Sequence, residues 1–500
     1  MIARASRWVD DRLGLSRFTR SSLNKVFPDH WSFMLGEVAM YAFVVLLVTG
    51  VFLTFFFDPS SKAVVYHGHY HALDGVSMSE AYRSTLRLSW DVRAGLVMRQ
   101  LHHWAALLFI AAIIAHVCRI FFTGAFRRPR ELNWIIGVTL LLLAVANGFT
   151  GYSMPDDLLS GTGLRIAYSI ALSIPVAGTW ITYLVFGGEF PADQIITRLF
   201  VIHIMIVPAL ILGLLGAHLA IVWRQKHTQF PGRGKTESNV VGSQLWPTYT
   251  VKSVGLFAGV LAVLAALAGL AQINPIWLYG PFHAPSVSTA AQPDWYIGWL
   301  EGALRLFPPW EIRVWHHTIP NVFFPGVVLP GVTFALLYAW PFLEARMTSD
   351  RAEHHLLDPP RARPVRTAMG VATLSFYGVL LLAGGQDIFA QKLHVSIIPV
   401  TNTFRALLLV VPVLAAWVAW KLARDLNAKS MLDAEDHGDD DDGASEIWPT
   451  PEGDEPASSG ELVSVGGPPL ATTARASALA VTGAATAAAV GWFVGRRRRR

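Results

Sequence analysis

Long apolar blocks separated by short polar segments run through most of this chain of 500 residues. Eight of the blocks hold about 20 residues each, enough for an α-helix to cross the hydrocarbon core of a bilayer. They predict membrane-spanning helices at 36–57, 101–122, 134–152, 200–223, 254–273, 322–342, 368–385 and 404–420. A ninth apolar run, 164–187, contains Arg165, Pro175 and a Gly187-Gly188 pair, so we expect helices that lie against the outer face of the membrane there.

The basic residues of the loops orient these spans. Four or five Lys and Arg residues occur in each of three loops, 119–133, 223–252 and 343–366. One or two occur in each of three others, 152–199, 274–320 and 386–402. Because loops rich in Lys and Arg stay in the cytoplasm, we expect the first set and both chain termini to be cytoplasmic. The loop 58–100 is an exception, with five basic residues.

The predicted fold is an all-α integral membrane protein of about eight transmembrane helices, located in the plasma membrane. Its four segments are a cytoplasmic amphipathic N-terminal segment (1–30), a four-helix bundle of spans one to four (31–230), a C-terminal group of spans five to eight (231–425) and an acidic, mostly disordered cytoplasmic tail (426–500). Twelve acidic residues and no Lys or Arg lie between Asp433 and Glu461. The chain then ends in an Ala-rich stretch and five arginines, which we expect to be peripheral.

Composition excludes several classes of protein. Hydrophobic residues make up 53% of the chain and charged residues 15%, too apolar a balance for a soluble protein. The single cysteine, Cys118, excludes an intrachain disulfide, a C-x-x-C-H haem attachment site and cysteine-based zinc or iron–sulfur sites. The net charge of +5 averages a basic body and an acidic tail, so it does not point to nucleic acid.

Histidines within the second and fourth spans indicate a cofactor. His102 and His116 are 14 residues apart, and His203 and His218 are 15 apart, close to four helical turns in each case. Both spans are expected to run from the outer to the inner face, so His102 shares a depth with His203 and His116 with His218. Two pairs at two depths suit two haems with two histidine ligands each, whereas zinc or copper ligands gather at one level. His103 points about 100° away from His102 and is not expected to be a ligand.

Glycines and arginines near these histidines support the same hypothesis. On the first and third spans glycines also recur at intervals of 14 residues, as Gly36 with Gly50 and Gly137 with Gly151. They predict flat surfaces for haem faces, with close helix packing through small residues as the alternative. Arg99 and Arg119 each lie three residues from a histidine, where they can pair with haem propionates or extend to the membrane surface.

Several motifs resemble those of a known family. They are R-Q-L-H-H-W…H-V-C-R with the following F-F-T-G-A-F-R-R-P-R-E-L-N-W, G-F-T-G-Y-S-M-P, R-L-F-V-I-H-I-M-I-V-P and the tetrapeptide Pro293-Asp294-Trp295-Tyr296. With them, residues from about 30 to 420 resemble cytochrome b of the cytochrome bc family, and the tetrapeptide resembles its P-E-W-Y quinol-site motif. The spacing of His203 and His218 is similar to the chloroplast-type branch and the eight spans to the mitochondrial type. The acidic tail and H-T-Q-F-P-G at 227–232 are similar to actinobacterial members.

The resemblance implies the haem-carrying subunit of a respiratory quinol–cytochrome c reductase with two non-covalent b-type haems. His102 and His203 would ligate a low-potential haem near the outer face, and His116 and His218 a high-potential haem near the inner face. Quinol oxidised at the outer face would send one electron to a Rieske iron–sulfur protein and on to a c-type cytochrome. The other electron would cross the membrane to an inner-face quinone, so that protons are translocated. Menaquinone, a homodimer within the complex and a terminal oxidase as a further partner are also implied.

For the outer quinol site the resemblance implies Asp294 and Tyr296, with Tyr152 across the cavity and Pro293 and Trp295 beside them. Asp294 replaces the usual Glu of the family with a shorter carboxylate. It is the candidate proton acceptor, and a helix N-cap is the alternative role, since Asp commonly caps a helix entered from a loop.

For the inner quinone site the stretch W-P-T-Y-T-V-K-S resembles the family segment that places a Lys and an Asp beside quinone. Lys252 fits this pattern, but Ser253 stands where the family has the carboxylate. His227 is an alternative proton donor. Both cations can equally be interfacial residues.

Two other functions are compatible with intramembrane histidines. One is another dihaem membrane cytochrome, such as the anchor subunit of a dehydrogenase, although those are usually shorter and lack P-D-W-Y. The other is a transporter that relays protons through histidines, which would need acidic or histidine residues at the bundle centre and discontinuous helices. Spans one, three and five lack such central residues.

Overall fold

The computed structural model describes residues 8, 10–12, 14–286, 292–314 and 317–436, and most of them are helical. Within these ranges, eight helices are long and apolar enough to cross a membrane. They are Trp31–Thr54, Gly95–Phe122, Glu131–Ser153, Ile195–Gln225, Leu245–Leu270, Phe324–Thr348, Pro364–Gly384 and Ile397–Ser430. Each overlaps one predicted span, so the predicted number of spans and the all-α fold class are confirmed.

We label the helices in chain order. They are α1 Leu15–Leu23, α2 Leu35–Thr54, α3 Glu80–Trp90, α4 Gly95–Phe122, α5 Glu131–Ser153, α6 Leu158–Leu172, α7 Gly178–Phe186, α8 Ile195–Gln225, α9 Leu245–Leu270, α10 Ile276–Tyr279, α11 Trp295–Leu306, α12 Phe324–Thr348, α13 Pro364–Gly384, α14 Gln386–Leu393 and α15 Ile397–Asp436. A 3-10 turn, Trp31–Met34, leads into α2, and single π-helical turns lie within α8, α9 and α12.

Three short antiparallel strand pairs join loops at the helix ends. Val26–Phe27 (β1) pairs with Ser243–Gln244 (β4), Ala63–Val65 (β2) with Ser77–Ser79 (β3), and Ile312–Val314 (β5) with His317–Ile319 (β6). The first pair ties the segment before α2 to the segment before α9, so the starts of these two helices are held together.

The ninth apolar run does not form a single helix. It is divided into two helices: α6 ends before residues 173–177 and α7 begins after them. Asp157 caps α6 in a capping box with Ser160, because the side chain of each residue accepts a hydrogen bond from the backbone N–H of the other. Neither helix is long enough to span a bilayer, as the sequence predicted.

The last helix extends further than predicted. It continues to Asp436, beyond the expected start of the tail at residue 426. The segment 426–436 contains two Leu, two Ala, a Lys, a Met and a Glu, which are strong helix formers, so the helix continues past its apolar part. The acidic run beyond residue 436, the Ala-rich stretch and the terminal arginines lie outside the described residues.

Helices α2, α4, α5 and α8 pack around a core of small and aromatic side chains. Ala39 and Ala42 of α2, Ala112 of α4 and Ala144 of α5 are buried at their contacts. Phe43 stacks on Phe109 with ring centroids 5.4 Å apart. The small residues let the helix backbones approach closely.

Helix α11 is fixed to the C-terminal helices by glycine contacts. A Cβ atom on Gly302 would lie 1.8 Å from the carbonyl oxygen of Leu380 in α13, and one on Gly384 would lie 2.5 Å from that of Gly298. The two backbones therefore touch directly. This contact fixes α11, and with it Asp294 at its start, relative to the C-terminal helices.

Candidate functional site

Two pairs of histidines face each other between α4 and α8. The ring centroids of His102 and His203, the first pair, are 6.2 Å apart. Those of His116 and His218, the second pair, are 6.5 Å apart. The predicted pairing of histidines at two depths is therefore present in the folded chain, whereas their role as ligands stays a prediction.

Each of the four predicted glycines lies against one of these rings. A Cβ atom on Gly50 would be 3.3 Å from His102 and one on Gly151 would be 2.4 Å from His203. At the second pair, a Cβ on Gly36 would be 3.3 Å from His116 and one on Gly137 would be 3.6 Å from His218. The repeat of 14 residues thus places bare backbone of α2 and α5 behind every imidazole.

Hydrogen bonds orient both rings of the first pair. The Nδ1 atom of His102 lies 2.9 Å from the hydroxyl of Thr49, which itself donates to the carbonyl of Val45. The Nδ1 atom of His203 lies 2.9 Å from the carbonyl of Asn147 and 3.2 Å from the hydroxyl of Thr150. With Nδ1 of each ring bonded to the protein, Nε2 is the nitrogen left for a metal ion.

The second pair has no such support. The Nδ1 atoms of His116 and His218 are buried without a hydrogen-bond partner in the described structure. The backbone of Asn133 lies beside His218 without completing a hydrogen bond.

The residues present fit a haem at each level. Two imidazoles that bind one metal ion from opposite sides, each at about 2 Å, have ring centroids roughly 6 Å apart. Within the described ranges, no group of three or more His, Cys, Asp or Glu residues gathers to hold a metal ion. That pattern matches an iron whose remaining ligands belong to a porphyrin, rather than a site built from protein ligands alone.

The two predicted arginines are placed differently. Arg99 donates from both terminal nitrogens to the carbonyl of Asn274, at 3.2 and 3.1 Å. Arg119 stacks over the ring of Phe33 at 4.1 Å, and its Nε and Nη2 atoms are buried without a partner. Unsatisfied guanidinium donors next to His116 are suited to an anionic group such as a propionate.

A cavity of about 310 Å³ lies beside the first pair. Both histidines line it, together with the predicted quinol-site residues Tyr152, Asp294 and Tyr296. The hydroxyl of Tyr152 is buried without a partner. Pro293 is partly buried beside Asp294, and Trp295 packs against the bundle core, so neither lines this cavity.

Asp294 bonds to two side chains that converge on the cavity. Its two carboxylate oxygens lie 2.9 and 3.0 Å from Nε2 of His103, and the hydroxyl of Tyr296 donates to it at 3.3 Å. Burial and the charge of Asp294 raise the pKa of Tyr296, so its hydroxyl keeps its proton. Although Asp294 occupies the N-cap position of α11, its side chain caps no backbone N–H, so the structure does not support the alternative role.

His103 is therefore hydrogen-bonded to Asp294 of the candidate quinol site, a contact that the sequence did not indicate. Its position one residue after His102 turns it away from the first pair and towards α11. The contact joins residues 191 positions apart in the chain, and neither residue's local motif predicts the other.

At the opposite end of the bundle, Lys252 pairs with Asp29 at 2.7 Å, and both side chains are about half exposed. Hydrogen bonds from Lys252 and Ser243 lower the pKa of Asp29 although its partial burial opposes this. His227 packs against Phe27, with ring centroids 4.6 Å apart. Burial, and then the charges of nearby Lys and Arg residues, lower the pKa of His227 to about 4, so its imidazole is neutral at pH 7.

Ser253, the residue found in place of the family's carboxylate, is not without an acid. Its hydroxyl donates to Glu37 of α2, and the hydroxyls of Tyr41 and Tyr249 donate to the same carboxyl group. Glu37 was not predicted as a site residue. An acidic residue at the end of an apolar span was the available signal, since a charge there is costly without a partner.

Comparison with known proteins identifies the family. The family described as "Cytochrome b(N-terminal)/b6/petB" matches residues 107–281. The chain is 52% identical over 436 residues to the "Cytochrome bc1 complex cytochrome b subunit" of Mycobacterium tuberculosis (strain ATCC 25618 / H37Rv), covering 87% of this chain and 79% of that protein. It is 51% identical over 413 residues to the protein of that name from Streptomyces coelicolor, covering 82% and 76%.

The fold is also similar to that of a solved structure. A chain of a "Hyperthermophilic respiratory Complex III" superposes with a TM-score of 0.62 at 20% identity, covering 83% of this chain and 98% of that one.

Proposed function

The chain belongs to the cytochrome b subunits of the cytochrome bc1 complex, and from this membership we propose that it holds two b-type haems, each between two histidines, and forms both quinone sites. It is thus a multi-pass membrane subunit of a quinol–cytochrome c oxidoreductase and carries haem b. Family membership removes the dehydrogenase anchor and the transporter as alternatives.

One observation carries the proposal for the haems. The four intramembrane histidines pair at two depths, with ring separations of 6.2 and 6.5 Å, and each ring is backed by a glycine. A haem iron held by two histidines takes up and releases one electron without an open coordination position. Arg119 has two free donors, Nε and Nη2, for a propionate of the second haem, and Arg99 has one, its Nε, for a propionate of the first.

The positive-inside rule assigns the first pair to the outer face and the second to the inner face of the plasma membrane. Quinol is then oxidised in the cavity beside the first pair. The carboxylate of Asp294 accepts a proton from a quinol hydroxyl, while His103 and Tyr296 hold it towards the cavity. Tyr152, with a hydroxyl free of protein partners, contacts the quinol from the opposite wall.

Partners complete the reaction. A Rieske iron–sulfur protein takes one of the two electrons from quinol and passes it to a c-type cytochrome subunit. These are separate subunits, because the single cysteine of this chain cannot supply the ligands of either centre. The second electron crosses to the inner face and reduces quinone, with menaquinone as the proposed species. A homodimer within the complex, surrounding membrane lipid and a terminal oxidase downstream belong to the same proposal, and nucleic acid does not.

A reduced-minus-oxidised spectrum of the purified complex, combined with a haem count per copy of this chain, tests the proposal. We expect two b-type haems per chain, both reducible by quinol. A count of one, or a pair of haems that quinol does not reduce, would contradict it.

A further inference from the structure

We propose that Glu37 is the acid that delivers a proton to quinone at the inner-face site, in place of the carboxylate that Ser253 lacks. This inference rests on the proposed function, because it assumes that quinone is reduced at the end of the bundle that carries the second histidine pair.

Glu37 lies at the level of the second pair. Its neighbour Gly36 lies against His116, since a Cβ atom on Gly36 would be 3.3 Å from the ring. Glu37 itself is in the first turn of α2, half-buried, and meets the start of α9. Its carboxyl group is therefore close to the second haem site but still near the membrane surface, where a lipid-soluble quinone can approach.

Three hydroxyl groups converge on this one carboxyl group. Tyr41 donates to it from the same helix at 3.0 Å, and Ser253 and Tyr249 donate from α9 and its first turn. The hydroxyls of Tyr41 and Ser253 also lie 2.7 Å from each other. The cluster therefore has four contacts of hydrogen-bond length, but its three hydroxyl groups supply protons for only three of them. A proton on the carboxyl group of Glu37 completes the set, so the cluster is arranged to hold a transferable proton.

A route to the aqueous phase lies next to the cluster. Ser253 follows Lys252, whose ammonium group pairs with Asp29 at 2.7 Å and lies 3.3 Å from the hydroxyl of Ser243. The side chains of Lys252 and Asp29 are 47% and 43% exposed, so water reaches them. Because Ser253 is the next residue of α9 and is itself partly exposed, we take this edge as the entry for protons to Ser253 and on to Glu37.

The chemistry balances with groups already named. Reduction of a quinone to a quinol consumes two electrons and two protons and forms two O–H bonds. The two electrons come from two quinols oxidised in turn at the outer site, each of which sends one electron across the membrane and the other to the Rieske protein. Glu37 gives its proton to one quinone oxygen and becomes a carboxylate, which regains a proton through Ser253. The second proton reaches the other oxygen from water at the inner face.

The test uses the purified complex with Glu37→Gln, Glu37→Asp and a control variant, Glu131→Gln. Glu131 is matched because it also occupies the first turn of a spanning helix at the same end of the bundle. In Glu37→Gln we expect both haems to be present and reduced by quinol at the normal rate, but reoxidised by added quinone about 10- to 100-fold more slowly. Glu37→Asp should retain most of the rate, and Glu131→Gln all of it.

Infrared difference spectroscopy gives a readout other than turnover. In time-resolved spectra, reduction of quinone should transiently deprotonate a carboxyl group in the wild-type complex, and this signal should be absent in Glu37→Gln and present in Glu131→Gln. Normal reoxidation or an unchanged carboxyl signal in Glu37→Gln would overturn the inference. Failure of the proposed function would differ, because the wild-type complex itself would then lack quinol-reducible haem.

A second variant covers the case in which Glu37→Gln does not assemble. Ser253→Ala keeps Glu37 and its tyrosine partners but breaks the link to the Lys252 edge. We expect slower haem reoxidation by quinone with normal reduction by quinol, and an unaltered reoxidation rate would count against the proton route.

Discussion

The two histidine pairs are built on the same scaffold, yet only the first has its Nδ1 atoms hydrogen-bonded. The difference lies in the residue before each glycine that backs a ring. At the first pair these residues are Thr49 and Thr150, and at the second they are Leu35 and Ile136. A threonine hydroxyl on each of the two helices, together with the carbonyl of Asn147, therefore distinguishes the first site from the second.

This difference has a predictable electronic effect. An acceptor for the Nδ1 proton makes an imidazole a stronger electron donor to its metal ion. Stronger donation stabilises the oxidised form of iron, so the first haem should have the lower reduction potential. This is the order that the resemblance to cytochrome b implied.

The charges around the two pairs act in the same direction. The first pair shares its cavity with the carboxylate of Asp294 and with the guanidinium of Arg99, whose charges oppose each other. The second pair has the positive charge of Arg119 beside it. Positive charge near an iron favours its reduced form, which again raises the potential of the second haem relative to the first.

The largest expected effect comes from removing a ligand. His102→Ala and His203→Ala should each lose the first haem, and His116→Ala and His218→Ala the second. The members of a pair should therefore have the same spectrum, with one haem per chain remaining. Haem counts and reduced-minus-oxidised spectra measure this, and identical spectra for His102→Ala and His218→Ala would show that the pairing by depth is wrong.

The next largest effect should come from a methyl group added behind a histidine ring, which the two haem levels should tolerate differently. In Gly151→Ala the new Cβ would lie 2.4 Å from His203, too close for the ring to keep its position. In Gly137→Ala the distance to His218 is 3.6 Å, an ordinary contact. We expect Gly151→Ala to lose much of the first haem through overpacking of about 1–3 kcal/mol, and Gly137→Ala to keep both haems. Equal haem content in the two variants, measured optically, would contradict this ranking.

The sequence was sufficient for features that repeat along one helix. Spans follow from apolar length, and the pairing of histidines and glycines follows from their spacing and the direction of each helix. It was insufficient for contacts between distant segments. His103 meets Asp294 across 191 residues, and Glu37 meets Ser253 across 216. The end of α15 was predicted too early, because the length of an apolar block does not show whether the helix continues into the polar residues after it.

The third largest effect is expected at Asp294, whose carboxylate lines the cavity beside the first histidine pair. Asp294→Asn should lower quinol oxidation by roughly 10- to 100-fold and leave both haems in place, because the amide cannot accept a proton. Asp294→Glu should stay active, as the carboxylate is retained. Turnover with quinol is measured from pH 6 to 8, and a fully active Asp294→Asn across that range would exclude the proton-acceptor role.

The smallest effect should come from the threonines that distinguish the two levels. Thr49→Val removes the hydroxyl partner of Nδ1 of His102, whereas Thr150→Val leaves His203 its bond to the carbonyl of Asn147. A hydrogen bond contributes about 1 kcal/mol, and tenfold in an equilibrium is about 59 mV for one electron. Thr49→Val should therefore raise the potential of the first haem by roughly 20–60 mV and Thr150→Val by less, with the second haem unchanged in both. Redox titration of the two haem bands measures these shifts. A shift of the second haem, or a larger shift in Thr150→Val than in Thr49→Val, would mean that the hydroxyls do not set the difference between the levels.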